Sequence, residues 1–514
     1  MGNQTQVAIL IVLLGLSVPG FAQDPVLSGI RTIDKVFQEN CAVCHGERMQ
    51  GSAQGTALVG LELAHGDSMT ELTNSVSKGF PQAGMPAWGD VFTEQELKSM
   101  ALWIPENRDG LLYSEFNLNS DLALPEEPIA TEKYTIVVET LVDGLDPLPY
   151  SIAALPDGSL LLTEKMRGLR IISPEGEKSD FITGTPDVFD AGRKGGGGLF
   201  YGQGWLLDVA VHPNYAENGW IYLHHTDRCE DCNALSRKVD RSVSMNRIVR
   251  GRIKDGAWIN EEVIWQADVE HYGASSDVAS GGRTTFDPEG YVFFSVGMRN
   301  RDAIQNLAFP DGKIHRLHDD GRIPTDNPFT GHESALQSIW SYGHRSPQGL
   351  KFESNTRELW GTEHGPRGGD EINLLKPGKN YGWPLFSKGQ NYNGSEVAHG
   401  RQESEVELSD IEQPVVDWTP SPAVSSFVFY RGDAFPAWQD DMLVGTLKAA
   451  DFVRVKIVDG ELVEQETLIA DLSRIRDVEI DRRGLIYLLL EHEGGSKIVK
   501  VQPVDSPSLA GANQ

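Results

Sequence analysis

The chain has few basic residues for its length: 45 lysines and arginines stand against 74 aspartates and glutamates, giving a formal net charge of −29 over 514 residues. This deficit excludes the positive surface that proteins use to bind nucleic acids or anionic membranes. Long apolar runs are also scarce, and nothing after Val18 resembles a transmembrane segment. The length indicates more than one domain.

The N-terminal segment contains the one sustained apolar run, from Val7 to Val18. Gly20-Phe21-Ala22 follows, and its small residues suit cleavage before Gln23. Residues 1–22 are therefore predicted to be a secretory signal, which places the mature protein in the periplasm or outside the cell. No lysine or arginine precedes the run, so an uncleaved membrane anchor is the alternative, although the run is short for a spanning helix.

Cysteine is nearly absent, with four residues arranged as two CxxC pairs. The first pair, Cys41-Ala42-Val43-Cys44-His45, has the spacing of covalent c-type haem attachment. Two thiols at this spacing reach the vinyl groups, and the adjacent imidazole reaches the iron. A zinc or redox CxxC is the alternative, but no second ligand pair lies nearby.

The residues around this motif predict short helices. Thr93 and Glu96 form a capping box, one helical face follows in Leu97, Met100, Ala101 and Ile104, and Pro105 is expected to end the helix. Val36 and Phe37 mark an earlier helix, and Met69, Leu72 and Val76 mark another. The pattern predicts a small all-α domain over residues 23–108.

This domain resembles a class I cytochrome c. The resemblance implies a methionine as second axial ligand, in a loop before the last helix, and Met85 in Gly84-Met85-Pro86 fits that place. Met49, Met69 and Met100 are interpreted as packing residues. A proline-rich linker is predicted over residues 109–131, and a tail over residues 504–514.

A weak repeat, in which a turn precedes an alternating apolar strand, runs through residues 132–503. Six copies are found, at Pro156–Thr163, Glu217–Leu223, Pro288–Phe294, Thr356–Gly361, Gln439–Val444 and Arg482–Leu488. Radially repeated sheets of about four strands predict an all-β six-bladed propeller. A pair of β-sandwiches would also show short strands, but would not need six copies.

Residues 339–384 contain three segments that are predicted to be loops and are rich in residues able to contact a ligand. They are Gly343–Gly349, Glu363–Asn373 and Asn380-Tyr381-Gly382-Trp383-Pro384, all rich in glycine, proline and charge. These three pieces resemble the glucose/sorbosone dehydrogenase family, soluble sugar dehydrogenases that use pyrroloquinoline quinone (PQQ) and calcium on a six-bladed propeller. The resemblance covers about 370 residues of the propeller region.

The resemblance implies specific roles for several side chains. The expected PQQ contacts are Arg345, Gln348, Lys448, Arg474 and Arg476. The backbone carbonyls of Gly365 and Pro366 are expected to hold Ca²⁺, and Gln203 to meet the sugar. For any one of the cations, a surface salt bridge is the alternative. The region of Asp370, Glu371 and Tyr381 resembles a second, structural calcium site; a solvated acidic turn is the alternative there.

Three departures from the family pattern are present. Ser346 replaces an asparagine, and Trp205 replaces a glycine, which would narrow the pocket. Ala279 in Ala279-Ser280-Gly281-Gly282-Arg283 stands where the family has its catalytic histidine. His271, displaced by an insertion, is the candidate replacement base; a surface-loop histidine is the alternative. A histidine base contributes roughly 10² to 10⁴ in rate.

The second cysteine pair, Cys229 and Cys232, is predicted to form a tight disulfide in an exported protein. His224 and His225 nearby leave a zinc site as the alternative.

Two functions follow from these patterns. The first is a PQQ-dependent oxidoreductase that oxidises an aldose or a similar hydroxy or aldehyde compound and passes electrons through the haem to a respiratory acceptor. The second is a catalytically impaired propeller that binds carbohydrate or protein and carries an electron-transfer haem.

Overall fold

The computed structural model of the protein describes residues 32–108, 122–190, 193–194 and 200–504. The predicted signal segment, residues 109–121 of the predicted linker and residues 505–514 of the predicted tail lie outside the described residues. The helices are α1 (Ile33–Asn40), α2 (Ala42–His45), α3 (Met69–Lys78), α4 (Glu94–Asn107), α5 (Tyr215–Asn218) and α6 (Ala234–Val239). None of the described helices is long and apolar enough to cross a bilayer.

Helices α1 to α4 form the N-terminal domain (residues 32–108), whose core includes Phe37, Leu72, Met100 and Trp103. The capping box predicted at Thr93 is present: its hydroxyl accepts from the backbone N–H of Glu96, whose carboxylate accepts from the Thr93 N–H. Pro105 was expected to end α4 but lies inside it.

The rest of the chain is built from short strands. In chain order they are β1 (Ile129–Ala130), β2 (Thr135–Leu145), β3 (Pro149–Ala154), β4 (Leu160–Glu164), β5 (Gly168–Ile172), β6 (Arg193–Lys194), β7 (Phe200–Tyr201), β8 (Leu206–Val211), β9 (Ile221–Cys229), β10 (Val243–Lys254), β11 (Ala257–Gln266), β12 (Gly281–Phe286), β13 (Val292–Val296), β14 (Lys313–Leu317), β15 (Ile339–Tyr342), β16 (Pro347–Glu353), β17 (Glu358–Glu363), β18 (Asp370–Leu374), β19 (Val416–Trp418), β20 (Val424–Phe429), β21 (Met442–Thr446), β22 (Phe452–Val458), β23 (Glu461–Ile469), β24 (Arg474–Ile480), β25 (Ile486–Glu491) and β26 (Ser496–Pro503).

These strands form six antiparallel blades and the small ribbon β6–β7. Blade 1 is β3-β4-β5, and blades 2 to 5 are β8 to β11, β12 to β15, β16 to β19 and β20 to β23. Blade 6 joins β24, β25 and β26 to β2 and β1, so that the first and last strands of the propeller pair in one sheet. The inner strands β3, β8, β12, β16, β20 and β24 each pack against the next, and β24 packs against β3. The ring is therefore closed, and the predicted six-bladed propeller is confirmed.

The six repeats predicted from the sequence all fall at the same place in a blade. Each copy enters the second strand, which is β4, β9, β13, β17, β21 or β25. These strands are buried along most of their length. Residues of neighbouring blades share apolar clusters: Val428, Leu443, Ile475 and Leu488, for example, lie in one cluster across blades 5 and 6.

The inner strands share a feature that the sequence did not show. Each has a register shift near its first residues. A bulge of this kind redirects side chains and interrupts the alternation of the strand. Among the residues at these shifts are Tyr150, Asp208, Arg283, Gln348, Ser425 and Arg476.

Candidate functional site

Arg283, from the bulge of blade 3, lies at the centre of a buried ionic cluster between the inner strands. Its Nη1 atom is 3.2 Å from the carboxylates of both Asp208 and Asp477. Its Nη2 donates to the backbone carbonyl of Arg476 at 3.0 Å, and its guanidinium lies 4.5 Å from the ring centre of Tyr150. Its Nε also donates to the backbone carbonyl of Gln348 in blade 4 at 2.7 Å, so this one side chain joins five of the six blades at the centre of the propeller.

Three of the predicted cofactor residues meet beside this cluster. Arg474 and Arg476 both contact the carboxylate of Glu491, at 3.0 and 2.6 Å. Arg476 also donates from Nη1 to Oε1 of Gln348 at 3.2 Å. All four side chains are buried. Burial would raise the pKa of Glu491, but the two guanidiniums lower it to about 2. One carboxylate thus faces two permanent cations.

Two titratable groups beside these arginines have lowered pKa values. Burial, followed by the charge of Arg476, lowers the pKa of Lys165 to about 7; its ammonium lies 4.0 Å from Glu491. Burial, followed by the charges of Arg345 and Arg476, lowers the pKa of His364 to about 3. Burial is the main cause in both cases and the neighbouring guanidiniums add to it, so both groups tend towards their neutral forms and the arginines carry the positive charge of this region.

Arg474 and Arg476 form a buried cationic region. Arg345, in the loop between blades 3 and 4, adds a third guanidinium near it. Its Nη1 donates to the carbonyl of His364 at 3.2 Å, and its Nη2 donates to the hydroxyl of Tyr392 at 3.2 Å. Its backbone N–H donates to Glu363. Ser346 is the serine that replaces the family's asparagine. Its hydroxyl accepts a hydrogen bond from the side-chain amide of Gln348 at 3.0 Å and so helps to fix that side chain.

The Gly365-Pro366 turn is held rigidly. The backbone N–H of Gly365 donates to Oδ1 of Asp370 at 3.0 Å, and Oδ2 of Asp370 accepts from the N–H of Val424 in the next blade. A Cβ at Gly365 would lie 2.1 Å from the carbonyl oxygen of Gly368, so a side chain does not fit. A fixed turn of this kind suits carbonyl ligation of calcium.

The proposed second calcium site contains a carboxyl group that tends to hold a proton. Desolvation, followed by the charge of Glu363, raises the pKa of Glu371 to about 8. Tyr381 donates from its hydroxyl to the carbonyl of Leu374 at 2.5 Å. Within the described ranges, no group of three or more His, Cys, Asp and Glu side chains is arranged to hold a metal.

Lys448 lies at the edge of the cationic region, because Nη1 of Arg474 is 3.4 Å from the carbonyl oxygen of the preceding residue, Leu447. Its ammonium lies 3.8 Å from the carboxylate of Glu106, which belongs to α4 of the N-terminal domain. The sequence predicted a cofactor contact here and did not foresee this partner.

Gln203 lies against the loop that carries Ala279. The amide of Gln203 donates to the carbonyl of Ser275 at 2.9 Å and accepts from the hydroxyl of Ser242 at 2.8 Å. Asp277 accepts from the N–H of Gly204 at 2.7 Å, which ties the two segments together. Gln203 therefore supports the loop that carries Ala279.

His271 lies in a short 3₁₀ turn, Val269–His271, upstream of the loop that carries Ala279. Its ring makes an edge-on contact with Phe309, with 4.9 Å between the ring centres. Its assignment as catalytic base stays a prediction.

Trp205 is the tryptophan that replaces the family's glycine. It is buried, and the ammonium of Lys165 lies 5.6 Å from its ring centre.

The predicted haem-attachment residues lie at the junction of α1 and α2. Cys41 and Cys44 are free thiols, and burial raises the pKa of Cys41 to about 11. The Nδ1 atom of His45 lies 2.8 Å from the carbonyl oxygen of Thr56. This hydrogen bond orients the ring and leaves Nε2 for a metal, as is usual for ligating histidines.

Met85 is half-buried in a tight loop between α3 and α4. Its backbone N–H and C=O both pair with Phe80, at 3.1 and 2.9 Å. Gly84, before it, has a φ of 86°, which favours glycine. Met49 and Met100 are buried in the core, and Met69 packs against it, as expected for packing residues. Free thiols, an oriented imidazole and a methionine loop fit a c-type haem.

The second cysteine pair forms a disulfide between Cys229 and Cys232, as predicted. His224 is buried in β9, with Nε2 2.8 Å from the amide nitrogen of Asn246.

Comparison with known proteins gives two family matches. Residues 147–500 match the model of the glucose/sorbosone dehydrogenases, and residues 29–104 match that of the cbb3-type cytochrome c oxidase subunit III. The chain is 36% identical to the aldose sugar dehydrogenase YliI of Escherichia coli over 374 residues, 72% of this chain and 93% of that protein. It is 25% identical to quinoprotein glucose dehydrogenase B of Acinetobacter calcoaceticus over 419 residues, covering 67% and 84% of the two chains.

Among solved structures, the apo-form of the soluble aldose sugar dehydrogenase of Escherichia coli superposes with a TM-score of 0.62 at 35% identity. The match covers 72% of this chain and all of that one. The propeller is therefore shared with sugar dehydrogenases, and the N-terminal domain is an addition relative to that structure.

Proposed function

The chain belongs to the glucose/sorbosone dehydrogenase family and carries a cytochrome c domain, and we propose that it is an exported quinohaemoprotein that oxidises an aldose or a similar compound with PQQ and Ca²⁺. Electrons would pass from the propeller to the covalently bound haem and then to a respiratory acceptor. One of its relatives is named a quinoprotein glucose dehydrogenase, which supports the choice of a quinone.

The convergence of Arg345, Arg474 and Arg476 with Gln348 is the observation that carries the proposal. Two cations share one carboxylate, and nearby Lys165 and His364 have lowered pKa values. Buried cations that are not fully neutralised destabilise the folded protein, and a bound anion would remove this cost. A flat quinone with three carboxylates has the charge and shape for the task, since arginine binds carboxylates in pairs of hydrogen bonds.

The protein's part in the reaction is mainly to bind and to orient. Arg345, Arg474 and Arg476 would hold carboxylates, and the rigid turn at Gly365 and Pro366 would offer carbonyls to calcium. The bound quinone would supply the two-electron acceptor chemistry that no side chain provides. The buried apolar ring of Trp205 beside Lys165 would help to exclude water from the pocket wall.

Oxidation of the substrate requires a group that takes the proton of its hydroxyl. Ala279 cannot accept a proton, and the ring of His271 contacts Phe309. This observation favours the second candidate, a propeller that binds carbohydrate or protein but turns over slowly or not at all. Loss of a histidine base alone lowers rates by roughly 10² to 10⁴, which leaves room for residual activity.

The test is to reconstitute the haem-loaded protein with PQQ and Ca²⁺ and to add a panel of aldoses. Sugar-dependent appearance of the reduced-haem absorption band supports the enzyme, and omission of PQQ or chelation of calcium should abolish it. Tight PQQ binding without haem reduction by any sugar would support the impaired propeller instead. Absence of PQQ binding would overturn the cofactor assignment.

A further inference from the structure

Helix α4 presents a second face to the propeller, opposite the face that packs in its own domain. Gln95 and Ser99 lie one turn apart on this face, and both donate to the carbonyl of Gly394, each at 2.7 Å. The hydroxyl of Ser99 also lies 2.7 Å from Oε1 of Gln390. Leu102 and Glu106 continue the same row at helical spacing. The cytochrome domain is thus docked on loops of blade 4.

Glu106 places a carboxylate between two cations from different blades. Its Oε2 is 3.2 Å from Nε of Arg367, in the loop between β17 and β18. Its Oε1 is 3.8 Å from Nζ of Lys448, in the loop between β21 and β22. The side chain of Glu106 is 0% exposed, and those of the two cations are 7% and 8% exposed. This contact is an internal ion pair.

Glu106 and its two cations lie next to the proposed cofactor site. Arg367 directly follows the Gly365-Pro366 turn, and Lys448 directly follows Leu447, whose carbonyl is 3.4 Å from Arg474. Glu106 therefore reaches the rim of the region that is expected to take the cofactor's carboxylates. Two carboxylates facing one ammonium in a dry site repel each other, so the second enters at the expense of the first.

We propose that Glu106 and a carboxylate of the anionic quinone compete for Lys448, so that loading of the cofactor loosens the docking of the cytochrome domain. This inference rests on the proposed function for the identity of the anion. In the cofactor-free protein, Glu106 neutralises Lys448 and holds α4 down. When the anion binds, Lys448 turns to it, and Glu106 keeps Arg367 as its partner.

The competition has a measurable consequence for binding. When an internal competitor occupies a site part of the time, the apparent dissociation constant equals the intrinsic constant divided by the fraction of sites left open. Glu106→Gln keeps the shape of the side chain and removes its charge. It should tighten PQQ binding by about tenfold or more. Glu94→Gln is the matched control, because Glu94 lies in the first turn of α4 with its side chain 84% exposed.

The experiment uses the full-length, haem-loaded protein in the presence of Ca²⁺. PQQ is titrated into wild type and both variants, and its fluorescence gives the three dissociation constants. In parallel, amide hydrogen exchange of residues 94–107 is measured in the unmodified protein with and without PQQ. We expect tighter binding in Glu106→Gln alone and faster exchange in α4 when PQQ is bound.

The outcomes separate the two proposals. Equal or weaker PQQ binding in Glu106→Gln overturns the competition and leaves the proposed function standing. Unchanged or slower exchange of α4 on PQQ binding overturns it as well, and this result needs no variant to fold. If wild type and both variants bind no PQQ, the proposed function fails and the competition with it.

Discussion

Nη1 of Arg476 lies 3.2 Å from Oε1 of Gln348, although the two residues are 128 positions apart in the chain. Both stand at the bulges of inner strands, in blades 6 and 4. The bulges break the strict alternation of these strands and bring polar side chains together near the propeller axis. Side chains from different blades therefore meet near the axis, where a ligand can contact several blades at once.

Arg476→Lys should weaken PQQ binding by about 10- to 100-fold, because a lysine keeps the charge but loses the paired hydrogen bonds of the guanidinium. A fluorescence titration of the apo-protein with PQQ and Ca²⁺ measures the change. The control is Arg322→Lys, whose ion pair with Asp320 is at the surface, with the arginine side chain 73% exposed. Equal affinity in Arg476→Lys and wild type, with both folded, would refute the assignment of this arginine.

Ala279→His should raise the rate of sugar-dependent haem reduction, by about 10² to 10⁴ if the loop accommodates the ring, because it restores a proton acceptor at the family's position. His271→Ala in the natural background tests the alternative base. A large loss in His271→Ala together with no gain in Ala279→His would show that His271 already serves. Steady-state rates with excess PQQ and calcium distinguish the two results.

The sequence predicted the second strand of every blade but not the inner strands around the axis. The second strands begin with a turn and then alternate, and both signals are local. The inner strands carry bulges, which interrupt the alternation, so the placement of Arg283 between Asp208 and Asp477 had no local signal. The pairing of β2 with β26 likewise depends on closure of the ring rather than on any short pattern.

The candidate site shows the same division between local and distant information. Arg345, Gln348, Arg474 and Arg476 were identified by resemblance, and the structure brings them together. Glu106 was not identified, because a lone glutamate near the end of a helix carries no sign of a partner some 340 residues away. The face of α4 formed by Leu97, Met100, Ala101 and Ile104 was predicted from its spacing. The contacts of the opposite face could not be predicted, because they are made with propeller loops that are distant in the sequence.

Glu371 should make stability depend on pH. Its pKa is raised from 4.5 to about 8, so the folded protein holds a proton that the unfolded chain has lost between these values. The free energy of unfolding should therefore fall as the pH rises through this window, by about 1.4 kcal/mol per unit at most. Glu371→Gln should flatten the slope in thermal unfolding, whereas Glu396→Gln, with its side chain 65% exposed, should not.

Calcium should act on the same group if the second calcium site exists. A metal ligand must be deprotonated, so binding there would expel the proton of Glu371. Added Ca²⁺ should then raise the melting temperature more at pH 8 than at pH 6, and Glu371→Gln should lose this difference. A calcium effect that is the same at both pH values would leave Glu371 outside any metal site.

Met85→Leu should lower the midpoint potential of the haem, because a thioether ligand raises the potential of the iron and leucine offers no ligand atom. The change should be a sizeable part of the about 0.8 V over which axial ligands set haem potentials. Redox titration of the haem absorption measures it, and Met69→Leu is the control, since Met69 packs against the core of the same domain. If electrons pass from the sugar to the haem as proposed, the lowered potential should also slow sugar-dependent haem reduction. A potential that falls in Met69→Leu and stays constant in Met85→Leu would transfer the ligand role to Met69.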